Sequence, residues 1–181
     1  PTKNRLCDVL KQHGIVAEFA AKPSKTNANI YLGVNGSKGD ADRLAKKIKL
    51  KRDIFANGKF DRHIISLTAQ KNGNAQLLIL GENTDAVFFA LASLEQMLDG
   101  GSSNMACVTI YDYADIKDRG VVEGYYGVPY STAVTEDLLR FMMRYKMNSY
   151  MYGAKSDPYH SGYWGKPYPD KLTAEQKSMG C

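Results

Sequence analysis

Apolar residues in the first hundred positions follow two rhythms, one helical and one alternating. Leu6 and Leu10 lie four apart within Asn4–His13, which predicts a short helix closed by Gly14. Ile15–Ala20 and Ile30–Val34 read as strands separated by the polar loop Lys22–Asn29. Asp40 is placed as an N-cap, and beyond it Ala41, Leu44, Ala45 and Ile48 recur at helical spacing. His63–Ala69 and Gln76–Leu80 are strand-like, and Asn72-Gly73 between them predicts a hairpin. Thr84 is placed as the cap of a helix reaching about Leu98. Its buried face is Val87, Ala90, Leu91, Leu94 and Leu98, and Gly100-Gly101 is its stop. Cys107–Tyr113 adds a strand. The sum is an α+β layer with helices on one face of a mixed or antiparallel sheet.

The pattern changes after Asp118. Gly120–Glu123 is a short, buried strand. Thr135 is placed as the cap of a helix with Glu136 and Asp137 in its first turn and Leu138, Phe141, Met142 and Tyr145 on its apolar face. Ser149–Tyr152 is a second strand, and Gly153–Pro169 is a loop rich in Tyr, Gly and Pro. Thr173–Gln176 has capping-box spacing for a further helix. Strand, helix, strand, helix is the opening of an alternating α/β architecture with parallel strands. A closed (β/α)8 TIM barrel needs about 250 residues, so residues 120–181 supply about two of its eight units. The expected architecture is therefore an α+β domain followed by a truncated barrel. The strands at 120–123 and 149–152 would keep unpaired edges, which predicts self-association.

Charge and composition narrow the partners. Forty-four per cent hydrophobic residues in 181 support a packed core, and a net charge of +5 is mild. Arg43, Lys46, Lys47, Lys49, Lys51 and Arg52 form either a phosphate-binding face or the solvated side of an amphipathic helix. With no aromatic residues between them the solvated side is the expected reading, and no nucleic-acid partner is expected. No apolar run approaches the roughly 18 residues of a membrane span, so no membrane partner is expected either. The chain starts at Pro1 without a signal-peptide pattern, which predicts a processed or cut chain. Cys7, Cys107 and Cys181 are scattered, as are His13, His63 and His160. That spacing allows one bridge but favours buried free thiols, and it predicts no metal site and no cofactor.

The chemically distinctive stretch is Arg119–Tyr130, R-G-V-V-E-G-Y-Y-G-V-P-Y. Gly124 and Gly127 flank two tyrosines. Such a backbone can pass close to a flat ligand and set ring surface beside it, which suits a sugar. The plainer alternative is a turn whose tyrosines cover the core. Ligands of parallel barrels sit at the carboxyl ends of the strands. Lys155, just past the second strand, is placed either to donate to ligand hydroxyls or simply to lie on the surface.

The stretch resembles the R-G-V-V-E-G-F-Y-G-x-P-W opening of glycoside hydrolase family 84. These are β-N-acetylglucosaminidases, including protein O-GlcNAc hydrolases and hyaluronidase-like bacterial relatives. Asn148–His160, N-S-Y-M-Y-G-A-K-S-D-P-Y-H, is similar to the family's N-x-Y-x-Y-A-P-K-D-D-P-Y-H. Gly81–Phe89 resembles the end of the accessory domain that precedes the barrel in bacterial members. The resemblance implies an accessory α+β domain at 1–117, similar to the second domain of glycoside hydrolase family 20, and the amino-terminal fragment of a (β/α)8 catalytic domain at 118–181.

It also implies a site. A backbone carbonyl at Gly124 would meet the sugar, Tyr126 would line the pocket, and Lys155 would bond sugar hydroxyls. Tyr125, Tyr130, Gly153-Ala154 and Ser156 depart from the family pattern. The implied reaction is retaining and substrate-assisted: the 2-acetamido oxygen attacks the anomeric carbon and forms an oxazoline, with two adjacent aspartates assisting. No Asp-Asp pair occurs in this sequence, so no catalytic residue is assigned and the chain alone is expected to be inactive. Asp157 belongs to the second-strand loop motif, and Glu123 reads as structural. The implied partner is an N-acetylglucosamine-containing glycan, and the implied location is secreted, periplasmic or cell-surface. The competing reading is a complete non-catalytic module that binds carbohydrate or protein through Tyr125, Tyr126, Tyr159, Tyr163, Trp164 and Tyr168.

Overall fold

The structure is a computed structural model that describes residues 1–100, 106–124, 130–153, 159 and 162–167. The chain divides into two compact units, Pro1–Lys117 and Asp118–Cys181. The first contains α1 (Thr2–Gln12), β1 (Asn29–Val34), α2 (Asp40–Lys47), a 3-10 turn (Asp53–Ala56), β2 (Phe60–Ala69), β3 (Ala75–Gly81), α3 (Thr84–Asp99) and β4 (Val108–Ala114). Its sheet has the order β1-β3-β2-β4. β1 runs parallel to β3 and the other pairs are antiparallel, so the sheet is mixed.

The helices do not share one face, contrary to the sequence expectation. Leu77 and Ile79 of β3 join Ile65 and Leu67 of β2 under Leu6 and Leu10 of α1 and Val87, Ala90, Leu91 and Leu94 of α3. Leu78 and Leu80 point the other way and pack on Ala41 and Ala45 of α2. The cause is the run Leu77–Leu80. Four consecutive apolar residues on a central strand bury both faces of the sheet, so a helix is needed on each side.

The expected strand at Ile15–Ala20 does not form. Residues 15–20 carry no regular element, and Val16 is 98% exposed. An apolar run becomes a strand only where a neighbour supplies a ladder, and no strand of this sheet pairs with it. What precedes it follows the sequence closely. Gly14 takes a positive φ of 73°, its N–H donates to the Lys11 carbonyl at 3.0 Å, and the Ile15 N–H donates to the Leu10 carbonyl at 2.9 Å. This double bond closes α1 at its carboxyl end. Arg5 docks the same helix onto α3: its guanidinium donates to the Phe88 carbonyl at 2.9 Å and lies over the Phe88 ring.

Two caps move by one residue. α2 is preceded by Gly39, and Asp40 is its first helical residue. α3 is capped by Asn83, whose side chain accepts the Ala86 N–H at 2.8 Å, and Thr84 is inside the helix. Such a cap contributes about 1 kcal/mol. The hairpin between β2 and β3 closes as the Asn-Gly pair requires, with Gly73 at φ 83° and the Gln70 N–H donating to the Asn74 carbonyl at 2.8 Å.

The second unit contains β5 (Gly120–Glu123), α4 (Thr132–Arg144) and β6 (Ser149–Tyr152). β5 and β6 are parallel and in register from Gly120 opposite Ser149 to Glu123 opposite Tyr152. β5 is not the buried strand expected: only Glu123 is buried and Val122 is 65% exposed, because β5 pairs with β6 alone among the described residues. α4 starts three residues before the expected Thr135 cap. Ser131 is the cap, its hydroxyl accepting the Val134 N–H at 3.4 Å, and no acidic residue stands in the first turn. Met142 is buried, while Phe141 and Tyr145 are exposed and stack at 4.5 Å between ring centroids.

Candidate functional site

The βαβ unit is fastened at its amino-terminal end by Arg119 and Asn148. The Arg119 carbonyl accepts the N–H groups of Asn148 at 2.7 Å and Ser149 at 3.0 Å, and its own N–H donates to Asn148 Oδ1 at 2.9 Å. The Arg119 guanidinium donates from Nε and Nη2 to the Lys146 carbonyl at 3.0 and 2.8 Å. Strand starts and helix end are thus held by one arginine and one asparagine.

At the carboxyl end, Glu123 is buried and its Oε1 accepts the Tyr130 N–H at 3.3 Å. Tyr130 directly precedes the Ser131 cap, so Glu123 ties the end of β5 to the start of α4. This is a structural role of the kind expected of it. The Gly153 N–H donates to the Glu123 carbonyl at 2.9 Å. That bond sets the two loop origins, Gly124 and Gly153, side by side at the carboxyl ends of two parallel strands. In α/β architectures this is where ligands bind.

Gly124 is exposed, and a Cβ placed on it would meet nothing within 4 Å. Tyr126 and Lys155, the other two sequence-predicted site residues, lie outside the described residues, as do Tyr125, Asp157 and Tyr168. Of the remaining loop aromatics, Tyr159 and Tyr163 pair at 5.6 Å between centroids, and Trp164 is 82% exposed.

The first unit offers one suggestive constellation. Buried His63 places Nε2 3.3 Å from Asp112 Oδ2, and the Ser93 hydroxyl donates to the same oxygen at 3.3 Å. The connectivity is wrong for nucleophilic catalysis, because the hydroxyl is turned to the carboxylate rather than to the imidazole. Half of the basic run from Arg43 to Arg52 is engaged in ion pairs within the unit. Arg43 pairs with Asp40, and Lys46 and Arg52 both pair with Asp42. Among the described residues no set of three His, Cys, Asp or Glu side chains converges to hold a metal, and no helix is long and apolar enough to cross a membrane.

Comparison with known proteins gives this βαβ segment its class. Residues 119–179 match a family model described as beta-N-acetylglucosaminidase. Protein O-GlcNAcase of Rattus norvegicus and of Mus musculus are each 37% identical over 49 residues, 27% of this chain and 5% of theirs. The solved structure of CpGH84D superposes with a TM-score of 0.84 at 36% identity, covering 98% of this chain and 29% of that one. CpGH84B superposes with a TM-score of 0.62 at 24% identity, a likeness of fold, over 97% of this chain and 28% of that one.

These matches support assigning the chain to glycoside hydrolase family 84. The chain spans under a third of the length of the two solved relatives and about a twentieth of the two O-GlcNAcases.

Proposed function

We propose that the chain carries the opening part of the sugar site of a retaining, substrate-assisted β-N-acetylglucosaminidase acting on N-acetylglucosamine-containing glycoconjugates. One observation carries this reading: Gly124 and Gly153 emerge together from the carboxyl ends of paired parallel strands, inside the segment that matches the family model. The Gly124 carbonyl, Tyr126 and Lys155 would hold the sugar ring. In the family's reaction the substrate's acetamido oxygen displaces the leaving group and water later opens the oxazoline. One aspartate orients the amide, and its neighbour donates a proton and then removes one.

That adjacent aspartate pair is absent from these 181 residues. The isolated chain is therefore expected not to hydrolyse a fluorogenic N-acetylglucosaminide. Protein-dependent turnover that persists through repurification would overturn this reading. Export from the cell belongs to the same proposal, on family likeness.

Self-association follows from the same unit. Val122 and Met151 face outward at 65% and 63% exposure on strands that pair only with each other among the described residues. Apolar strand faces and open edges favour pairing with a second copy. Light scattering is expected to show species larger than a monomer at micromolar concentration, and a monodisperse monomer would remove the proposal.

A further inference from the structure

Tyr163–Lys166 is a tight turn, closed by the Lys166 N–H donating to the Tyr163 carbonyl at 2.8 Å. Trp164 and Gly165 occupy its corner, and the indole is 82% exposed. The turn returns Lys166 to Tyr163, with Nζ 5.2 Å from the centre of the ring. Tyr159 lies against the same ring, 5.6 Å away between centroids and tilted by 56°. A Cβ placed on Gly165 would meet nothing within 4 Å, so the corner is open to a ligand.

An indole turned into water is an unfavourable use of a large apolar surface unless something covers it. The chemistry beside it says what fits. A pyranose ring has one apolar C–H face, which stacks on an aromatic ring, and a rim of hydroxyls, which accept from a cation. Trp164 and Tyr163 offer the first surface and Lys166 the donor. A purely apolar partner would leave the ammonium without a polar group to meet.

We propose that Trp164, Tyr163 and Lys166 form a second saccharide-contacting surface, which takes a ring of the glycan other than the one held by Gly124, Tyr126 and Lys155. It rests on the reading of the chain as part of an N-acetylglucosamine site and adds an extended oligosaccharide as the bound form. Tyr159 is a positioning residue that holds the Tyr163 ring.

Trp164 is the sole tryptophan, so intrinsic emission reports on this turn alone. The 181-residue chain is titrated with tetra-N-acetylchitotetraose and with N-acetylglucosamine, and calorimetry is run in parallel. The tetrasaccharide is expected to change Trp164 emission with half-saturation below about 1 mM, and the monosaccharide to bind more weakly. Tyr163→Ala and Lys166→Ala are each expected to weaken the tetrasaccharide response about fivefold or more. Both side chains lie at the surface, so circular dichroism should stay unchanged.

If calorimetry registers the tetrasaccharide while Trp164 emission stays constant, the second surface is refuted and the sugar site at the strand ends stands. If neither signal appears, both fall. An equal response to an unglycosylated serine-rich peptide overturns the saccharide assignment in favour of a peptide surface.

Discussion

Asp42→Ala is expected to lower the stability of the first unit by about 2–4 kcal/mol, read from urea unfolding followed by circular dichroism. Asp42 is completely buried. Its Oδ1 accepts the Gly36 N–H at 3.0 Å and the Arg52 Nη1 at 2.9 Å; its Oδ2 accepts the Lys38 N–H at 3.2 Å and lies 3.3 Å from Lys46 Nζ. Arg52 also donates to Asn35 Oδ1 at 2.9 Å. One carboxylate therefore organises the whole connection from β1 to α2 and fastens it to residue 52. Alanine would strand two loop N–H groups and a partly buried guanidinium. Most of the loss comes from those groups, because half-exposed Lys46 is well hydrated in either case.

The same residue predicts a pH dependence. The Gly36 N–H first, then Lys46 and the Lys38 N–H, hold the Asp42 carboxyl below its ordinary value of 3.8, against the opposing effect of burial. A depressed folded-state pKa means that the unfolded chain binds the proton more readily. The contribution is thus fully present above pH 3.8 and fades as pH falls through the lower, folded value. Asp42→Asn removes the charge, so the gap between native and variant stabilities should narrow on acidification below pH 3.8. A gap that widened, or that stayed constant, would refute the assignment.

How much of this was legible in the sequence depends on what each feature needs. Local chemistry sufficed for Gly14, where a left-handed residue must end α1, and for Asn72-Gly73, where the turn type selects the pair. It did not suffice at the ends of α2 and α4. Lys49 and Lys146 take the left-handed position there, at φ 54° and 58°, with Leu50 and Met147 donating back to Ala45 and Met142. Lysine carries no signal for that conformation, so the helix ends were not marked. Nothing in the sequence singles out Asp42. Its role comes from the loop folding back over it, which periodicity does not show.

The partners of a strand were harder still. Ile15–Ala20 and Ile30–Val34 are similar runs, and only the second finds a neighbour. The βαβ order at 120–152 was legible because both strands are short, apolar and separated by one helix. Glu123 was legible as structural because a carboxylate at a strand end needs donors, and Tyr130 supplies one. Ser131 was missed because Thr135, with two acids after it, imitates a helix start more strongly.

Gly120→Ala is expected to disrupt the β5–β6 pair, with a loss of about 3 kcal/mol or more in the second unit. Gly120 faces the Ser149 carbonyl, and a Cβ built on it would overlap the carbonyl oxygen and carbon. The obstacle is backbone, not the end of a flexible side chain, so it cannot turn away. Nor is Ser149 free to retreat, since its N–H is bonded to the Arg119 carbonyl and Asn148 is held by the same residue. The strands must separate, which removes the bond from Gly153 to Glu123 at the other end and parts the two loop origins.

Two companion substitutions make the expectation specific. At Gly153 the nearest atom to an added Cβ is the Glu123 carbonyl oxygen at 3.3 Å, so Gly153→Ala needs a shift of a few tenths of an ångström. At Gly124 there is nothing within 4 Å, and Gly124→Ala should leave the strands intact. Amide hydrogen exchange at Val121, Glu123 and Met151, whose N–H groups face the partner strand in this register, is expected to rise steeply in Gly120→Ala, slightly in Gly153→Ala and not at all in Gly124→Ala. Ile65 and Ile79 in the first unit should keep their protection in all three. Native protection of Val121 in Gly120→Ala would show that β5 and β6 do not lie as close as their backbones place them, and that the strand ends are not the rigid base on which a sugar site can stand.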